Sequence, residues 1–187
     1  MRETFVELGI IIKVVRSGDY DARLAVFTAD GLRWRTIKGI YRPKAKFAAA
    51  SGLFTVAEFT VSGQSITNIN VLVAPYTLAK DLNRYYLACS IADALFHLEF
   101  VEQTPNALVT AINAITALAT TEESCYPIFL DFYQQILEIL GYHIELTYER
   151  EKLTHSTGKK LVQQMIEAYR NYVDYQISFV EKMYLDA

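Results

Sequence analysis

Near Pro75 the period of the apolar residues changes, and this change constrains the fold more than any single motif in the chain. Before it, short apolar runs are separated by turn signals; after it, apolar residues recur every three or four positions. That pattern predicts a strand-built first part and a helical second part, an α+β protein. At 187 residues the chain is long enough for two small packed domains, and the break places them at 1–78 and 79–187.

The first part reads as about five strands. Residues 5–15 form a long apolar run, Ser17-Gly18-Asp19 is a turn, and 22–28 alternates, with Leu24 and Val26 opposite in facing to Arg23. Asp30-Gly31 is a hairpin signal before the strand-like 32–40. A looser stretch, 41–51, precedes a second hairpin, 54–61 and 66–73, across Ser62-Gly63-Gln64. Short antiparallel strands in this number suit a small closed barrel. The OB-fold is the common oligonucleotide-binding one, and an SH3-like barrel fits the same pattern.

The second part predicts four helices. Leu82, Tyr85, Tyr86, Cys89, Ala92, Leu95 and Phe96 share one stripe. Thr104-Pro105 opens a helix that runs through Ala119. Phe129, Phe132, Tyr133, Ile136, Leu137 and Leu140 form a third stripe, ended by Gly141. After a polar connector at 142–158, a last helix from Lys159 carries Leu161, Met165, Tyr169, Tyr172, Val173, Ile177 and Val180 on one side. The tyrosines here read as core and core-edge packing.

Charge divides the chain at the same place. Residues 1–79 hold ten Lys/Arg against six Asp/Glu, a net of +4; residues 80–187 hold eight against fifteen, a net of -7. An asymmetry of this kind points to polyanion binding by the basic part, although the whole chain carries -3. The cations are concentrated: Arg33, Arg35, Lys38, Arg42, Lys44 and Lys46 lie within fourteen positions with no acid among them. Each can neutralise a phosphate and release a counterion. With Arg16 and Arg23 of the preceding strands they are the residues expected to contact nucleic acid. Cations also guard exposed strand edges, which is the competing reading. Strand alternation sets Arg33 and Arg35 on one face and Trp34 on the other, which favours the barrel interior for Trp34. Trp34, Phe27 and Phe54 are the aromatics that could stack on bases.

Catalytic apparatus is not visible. Ser90, Asp93 and His97 share a helix face but lack a third metal ligand, and His143 and His155 lack ligand spacing. No phosphate-loop, dinucleotide or nucleophile-elbow motif occurs, so the expectation is a protein without enzymatic activity, cofactor or metal. Cys89 and Cys125 are 36 positions apart, which suits a reducing cytoplasm rather than a disulfide framework. The apolar stretch 8–12 is too short for a signal peptide, and no run approaches a membrane helix, so a cytoplasmic protein without membrane contact is expected.

Residues 23–54 carry a resemblance. Leu24-Ala25-Val26-Phe27-Thr28, Asp30-Gly31, Lys38-Gly39 and Arg42-Pro43-Lys44-Ala45-Lys46-Phe47, up to Phe54, resemble the N-terminal signature of the bacterial recombination mediator RecO. The stretch from Asp81-Leu82 through Phe96 resembles the first helix of that family's helical domain, and that from Phe132 through Leu140-Gly141-Tyr142 resembles a later element. The resemblance implies an N-terminal five-stranded OB-fold β-barrel followed by an all-α domain. It implies binding of single- and double-stranded DNA, annealing of complementary strands, and loading of RecA together with RecR and the single-stranded-DNA-binding protein, in the bacterial nucleoid. Ala45, Tyr41 and Ser51-Gly52-Leu53 depart from the family string, and the four-cysteine zinc module common after Gly141-Tyr142 is missing. Two other readings compete: an adaptor whose barrel binds proteins, and an OB-type RNA-binding protein without annealing activity.

Overall fold

The computed structural model describes residues 3–98, 103–121, 124–144, 148, 153 and 155–173. It is α+β: five strands, β1 (Thr4–Ser17), β2 (Asp21–Thr28), β3 (Gly31–Ile37), β4 (Val56–Ser62) and β5 (Ser65–Val73), precede four described helices. These are α1 (Leu82–His97), α2 (Thr104–Thr120), α3 (Tyr126–Ile139) and α4 (His155–Val173). The chain divides into two compact units, one of residues 1–75 with 98–108 and one of 76–97 with 109–187. No described helix is long and apolar enough to cross a membrane.

In the first unit the strands close into a barrel in the order β1-β2-β3-β5-β4, with β4 returning to β1. β1 serves two neighbours: residues 4–10 pair with β4 and residues 9–17 with β2, all antiparallel. Gly9 sits where both pairings overlap. A Cβ there would lie 2.6 Å from Val26 Cγ1 and 2.8 Å from the Phe27 carbonyl, so the crossing needs glycine. A bulge between Ile11 and Lys13 then bends the strand around the barrel. Closure is completed by a parallel contact, Thr36 opposite Ser65, with Thr36 N–H donating to Gln64 O at 2.8 Å. The interior is filled by Ile11, Ala22, Leu24, Val26, Ile37, Phe59, Val61 and Ile66, among others. β3 ends at Ile37, and the looser stretch resolves into turns and a short 3-10 helix at Ala49–Ser51.

The second unit is organised by α3. Phe129, Phe132, Tyr133, Ile136 and Leu137 are all buried, as their spacing predicts. Gly141, at φ 84°, ends the helix: its N–H donates to Glu138 O and that of Tyr142 to Leu137 O, the paired bonds of a Schellman cap. The buried face of α1 is the expected one only in part. Ala92 and Leu95 of the predicted stripe are buried, together with Leu87, Ala88, Ile91 and Ala94, whereas Leu82 is 65% exposed and Tyr85, Tyr86, Cys89 and Phe96 are half-buried. Close helix packing selects the small residues, and Ser90 admits the Tyr133 hydroxyl, which shares a 2.7 Å hydrogen bond with Ser90 Oγ. The carbonyls at the end of α2 are met by other segments of the unit: Arg84 Nη1 donates to Leu118 O at 3.0 Å and to Thr121 O, and Thr77 Oγ1 donates to Ala119 O at 2.6 Å. α4 starts at His155, four residues before the expected Lys159, and at Gly158 its backbone comes close to the Tyr126 ring. Met165 and Tyr169 of its predicted stripe are buried. The Tyr172 and Val173 side chains, with Ile177 and Val180, lie outside the described residues.

Candidate nucleic-acid interface

Register decides which side chains of the basic segment share a face. Residues directly opposite in an antiparallel ladder point the same way. Ala22, Leu24 and Val26 of β2 point into the core, and their partners on β3 are Ile37, Arg35 and Arg33. Arg33 and Arg35 therefore share the inward-facing side of β3, where Arg35 is half-buried and Arg33, near the start of the strand, is exposed. Trp34 points out, on the side of Arg23, which corrects the interior placement expected from its neighbours. Across three strands the outer face carries Lys13, Ala25 and Trp34 in one row and Val15, Arg23 and Thr36 in the next.

Arg35 reaches the inward-facing Glu7 of β1 and forks onto it. Nε and Nη2 donate to the two carboxylate oxygens at 2.6 and 2.7 Å, with 11% and 12% of the side chains exposed. The hydrogen bond to Glu7 raises the Arg35 pKa above the ordinary arginine value, against desolvation that lowers it. The Phe5 ring lies 5.6 Å beneath the guanidinium. Nε and Nη2 are thus directed at a carboxylate rather than at solvent.

At the strand ends, in the loops and on the outer face, other cations lie against aromatic rings. The Arg23 guanidinium lies 4.9 Å from the Trp34 ring centre, Arg16 5.2 Å from Tyr41, and Arg42 5.3 Å from Tyr20. Lys46 lies 4.8 Å from the Phe47 ring. The loop after β1 and the loop after β3 are tied together: Tyr41 N–H donates to Tyr20 O at 3.0 Å, and Gly39 N–H to Asp21 Oδ1 at 2.7 Å. Arg16 Nη2 donates to Asp19 O at 2.9 Å and its Nε to Gly18 O at 3.2 Å, so the first loop is braced from within. Tyr20 and Tyr41 remain 49% and 43% exposed. Arg33, Lys38 and Lys44 are exposed as well, and Lys44 takes a left-handed φ of 61° in the loop that carries the basic residues.

A guanidinium resting on a ring keeps edge donors for a phosphate while losing little further freedom when it binds. Exposed rings between such cations offer flat surfaces for bases. Of the aromatics named from sequence, Phe27 and Phe54 are 1% and 3% exposed and cannot stack on a ligand. Trp34, half-buried on the outer face, remains. Tyr20, Tyr41 and Lys13 were not singled out by sequence reasoning as ligand contacts. The available signal was an aromatic beside a turn with an arginine near it, Tyr20 after Gly18-Asp19 and Tyr41 before Arg42.

Ser90, Asp93 and His97 do not assemble into a site through their side chains. Ser90 bonds Tyr133, and His97 Nδ1 lies 3.0 Å from the Asp93 backbone carbonyl. Burial pushes the Cys89 and Cys125 thiols up, which disfavours the nucleophilic thiolate. No protein-family model matches the chain, and no curated protein matches it.

Proposed function

We propose that the first unit is an OB-fold that binds single-stranded nucleic acid, and that the protein is a RecO-type mediator. In this role it holds single- and double-stranded DNA, anneals complementary strands and assists RecA loading with RecR and the single-stranded-DNA-binding protein. The observation that carries the reading is the set of cation–aromatic pairs Arg23–Trp34, Arg16–Tyr41 and Arg42–Tyr20. The ring order β1-β2-β3-β5-β4 with a long shared β1 supports the OB assignment, since oligonucleotides lie across strands 2–3 and the adjoining loops of that fold. The residue resemblance at 23–54 supports DNA as the ligand class and annealing as the activity.

Mechanistically, the cations neutralise phosphates while the rings receive bases, and a neutralised strand can approach its complement without the usual repulsion. The direct test is binding of a labelled single-stranded oligonucleotide across a salt series, followed by annealing of complementary DNA strands. Binding that weakens linearly in log–log form, with a slope of about -0.7 per phosphate contacted, supports the reading. Absence of binding at low salt overturns it, and binding without annealing removes the mediator role.

A further inference from the structure

The barrel closes through a single bridge, Thr36 of β3 opposite Ser65 of β5. β3 ends one residue later at Ile37, whereas β5 runs on to Val73. One edge of β5 is paired with β4 along its whole length. Along 66–73 the other edge meets no backbone donor or acceptor among the described residues. An edge strand presents the N–H and C=O of alternate residues outward, ready to pair with another extended backbone. This edge is also accessible: Thr67, Asn68, Asn70 and Val71 are exposed, and Leu72 is 53% exposed.

Charge selects the occupant. Open edges are ordinarily guarded by lysine or proline, yet β5 has neither, and no charged residue occurs over 59–79. A second copy of β5 therefore meets this edge without bringing like charges together. β3 differs, because antiparallel self-pairing about Trp34 would set Arg33 opposite Arg35.

Register gives a self-complementary match. Thr67 and Leu72 are bulged relative to β4, and the regular stretch between them is 68–71. Within it Asn68 and Asn70 lie opposite Thr60 and Glu58. In a two-fold antiparallel pairing opposed residues face the same way, so the axis passes at a residue position. An axis at Ile69 sets Asn68 opposite Asn70 of the second copy, and does so twice. Asn70 Nδ2 donates to Glu58 Oε2 at 2.9 Å, which fixes the amide and leaves its Oδ1 to accept from the Asn68 amide of the second copy.

We propose that β5 is a self-association edge, pairing antiparallel with β5 of a second copy about a two-fold axis at Ile69 and joining two barrels into a closed dimer. This inference does not depend on nucleic-acid binding by the barrel.

The test is sedimentation equilibrium of the full chain over a concentration series. The interface is small, so a reversible monomer–dimer equilibrium is expected rather than a permanent dimer. Amide hydrogen exchange of the wild type gives a second measure, since protection along 66–73 should rise with concentration. Asn68→Lys with Asn70→Lys sets like charges against each other across the axis and is expected to weaken association by about tenfold or more. Asn68→Asp with Asn70→Lys sets opposite charges against each other in the same register and should associate at least as tightly as the wild type. Circular dichroism of each variant should match the wild type. A wild type that stays monomeric up to about 1 mM, growth beyond the dimer, undiminished association of the folded like-charge variant, or loss of association in the opposite-charge variant would overturn the proposal.

Discussion

Arg23 holds its guanidinium 4.9 Å from the centre of the Trp34 ring, on the outer face of adjacent strands. The pair joins the two functions a single strand demands, a cation for the phosphate and a ring for the base. Trp34 is also the single tryptophan of the chain. Its fluorescence is therefore expected to change on oligonucleotide binding, and Trp34→Ala to weaken binding by about tenfold or more, the range for loss of one stacked base. Binding unaffected by this substitution would remove the outer face of β2 and β3 from the interface.

The two exposed tyrosines separate stacking from charge. Tyr20→Ala with Tyr41→Ala is expected to lower affinity at every salt concentration while leaving the slope of the salt dependence nearly unchanged. Reversal of Arg42, Lys44 and Lys46 to glutamate should flatten that slope instead. Measuring both series by anisotropy distinguishes the roles, and identical slopes in all variants would contradict them.

Arg35 is expected to behave differently from its neighbours. Arg35→Leu leaves Glu7 largely buried without its hydrogen-bonding cation, a cost of about 1.5–3 kcal/mol to stability. A Glu7→Leu, Arg35→Leu pair should recover most of that loss, because the charge and its partner are removed together. Thermal unfolding of the two variants and the wild type measures the recovery. Oligonucleotide affinity of the folded double variant should stay within a few-fold of wild type, the effect of about one lost surface contact at most.

The helical unit should lose stability in alkali. Burial drives the Tyr133 phenol well above its ordinary pKa of 10.0, and burial does the same to Tyr169. An unfolded phenol ionises near 10 whereas the folded one retains its proton. Stability is therefore intact below pH 10 and falls as pH rises from there toward the raised values. Phenolate absorbance across an alkaline titration should show some of the thirteen tyrosines ionising only as circular dichroism is lost. Tyr133→Phe should remove one late phenol and costs about 1 kcal/mol at neutral pH through the Ser90 hydrogen bond. Simultaneous titration of every tyrosine near pH 10 in a folded protein would refute the burial.

Gly9→Ala tests the barrel crossing. The added methyl meets the Phe27 carbonyl, a backbone atom that cannot rotate aside, so loss of folded barrel or a stability decrease of about 1–3 kcal/mol is expected by chemical denaturation.

Much of the local structure was legible because local chemistry causes it. The turn signals at Gly18, Gly31 and Gly63 mark the hairpins, where each glycine takes a positive φ. The α3 stripe and the Gly141 cap were readable for the same reason: spacing and a left-handed residue act within one element. The face of α1 was legible only in part: three-four spacing joins Ala92 and Leu95, which are buried, to Leu82 and Tyr85, which are not, whereas packing also takes the small Ala88 and Ala94. Which of two burial faces a helix uses depends on its neighbours.

The sequence by itself determined the α+β division at Pro75, the density of cations at 33–46 and the alternation that separates Trp34 from Arg33 and Arg35. Only the tertiary structure decided which of those two alternating sets faces the core. Charge predicts an outward Arg35, but Glu7, 28 positions away, offers it a bidentate partner inside the barrel, and Trp34 is turned outward to Arg23. The approach of Tyr20 to Arg42 and of Tyr41 to Arg16 was decided in the same way, by loops that meet only once β1, β2 and β3 are in register. Alternation is a property of one strand, whereas the sign of a face is set by what closes over it.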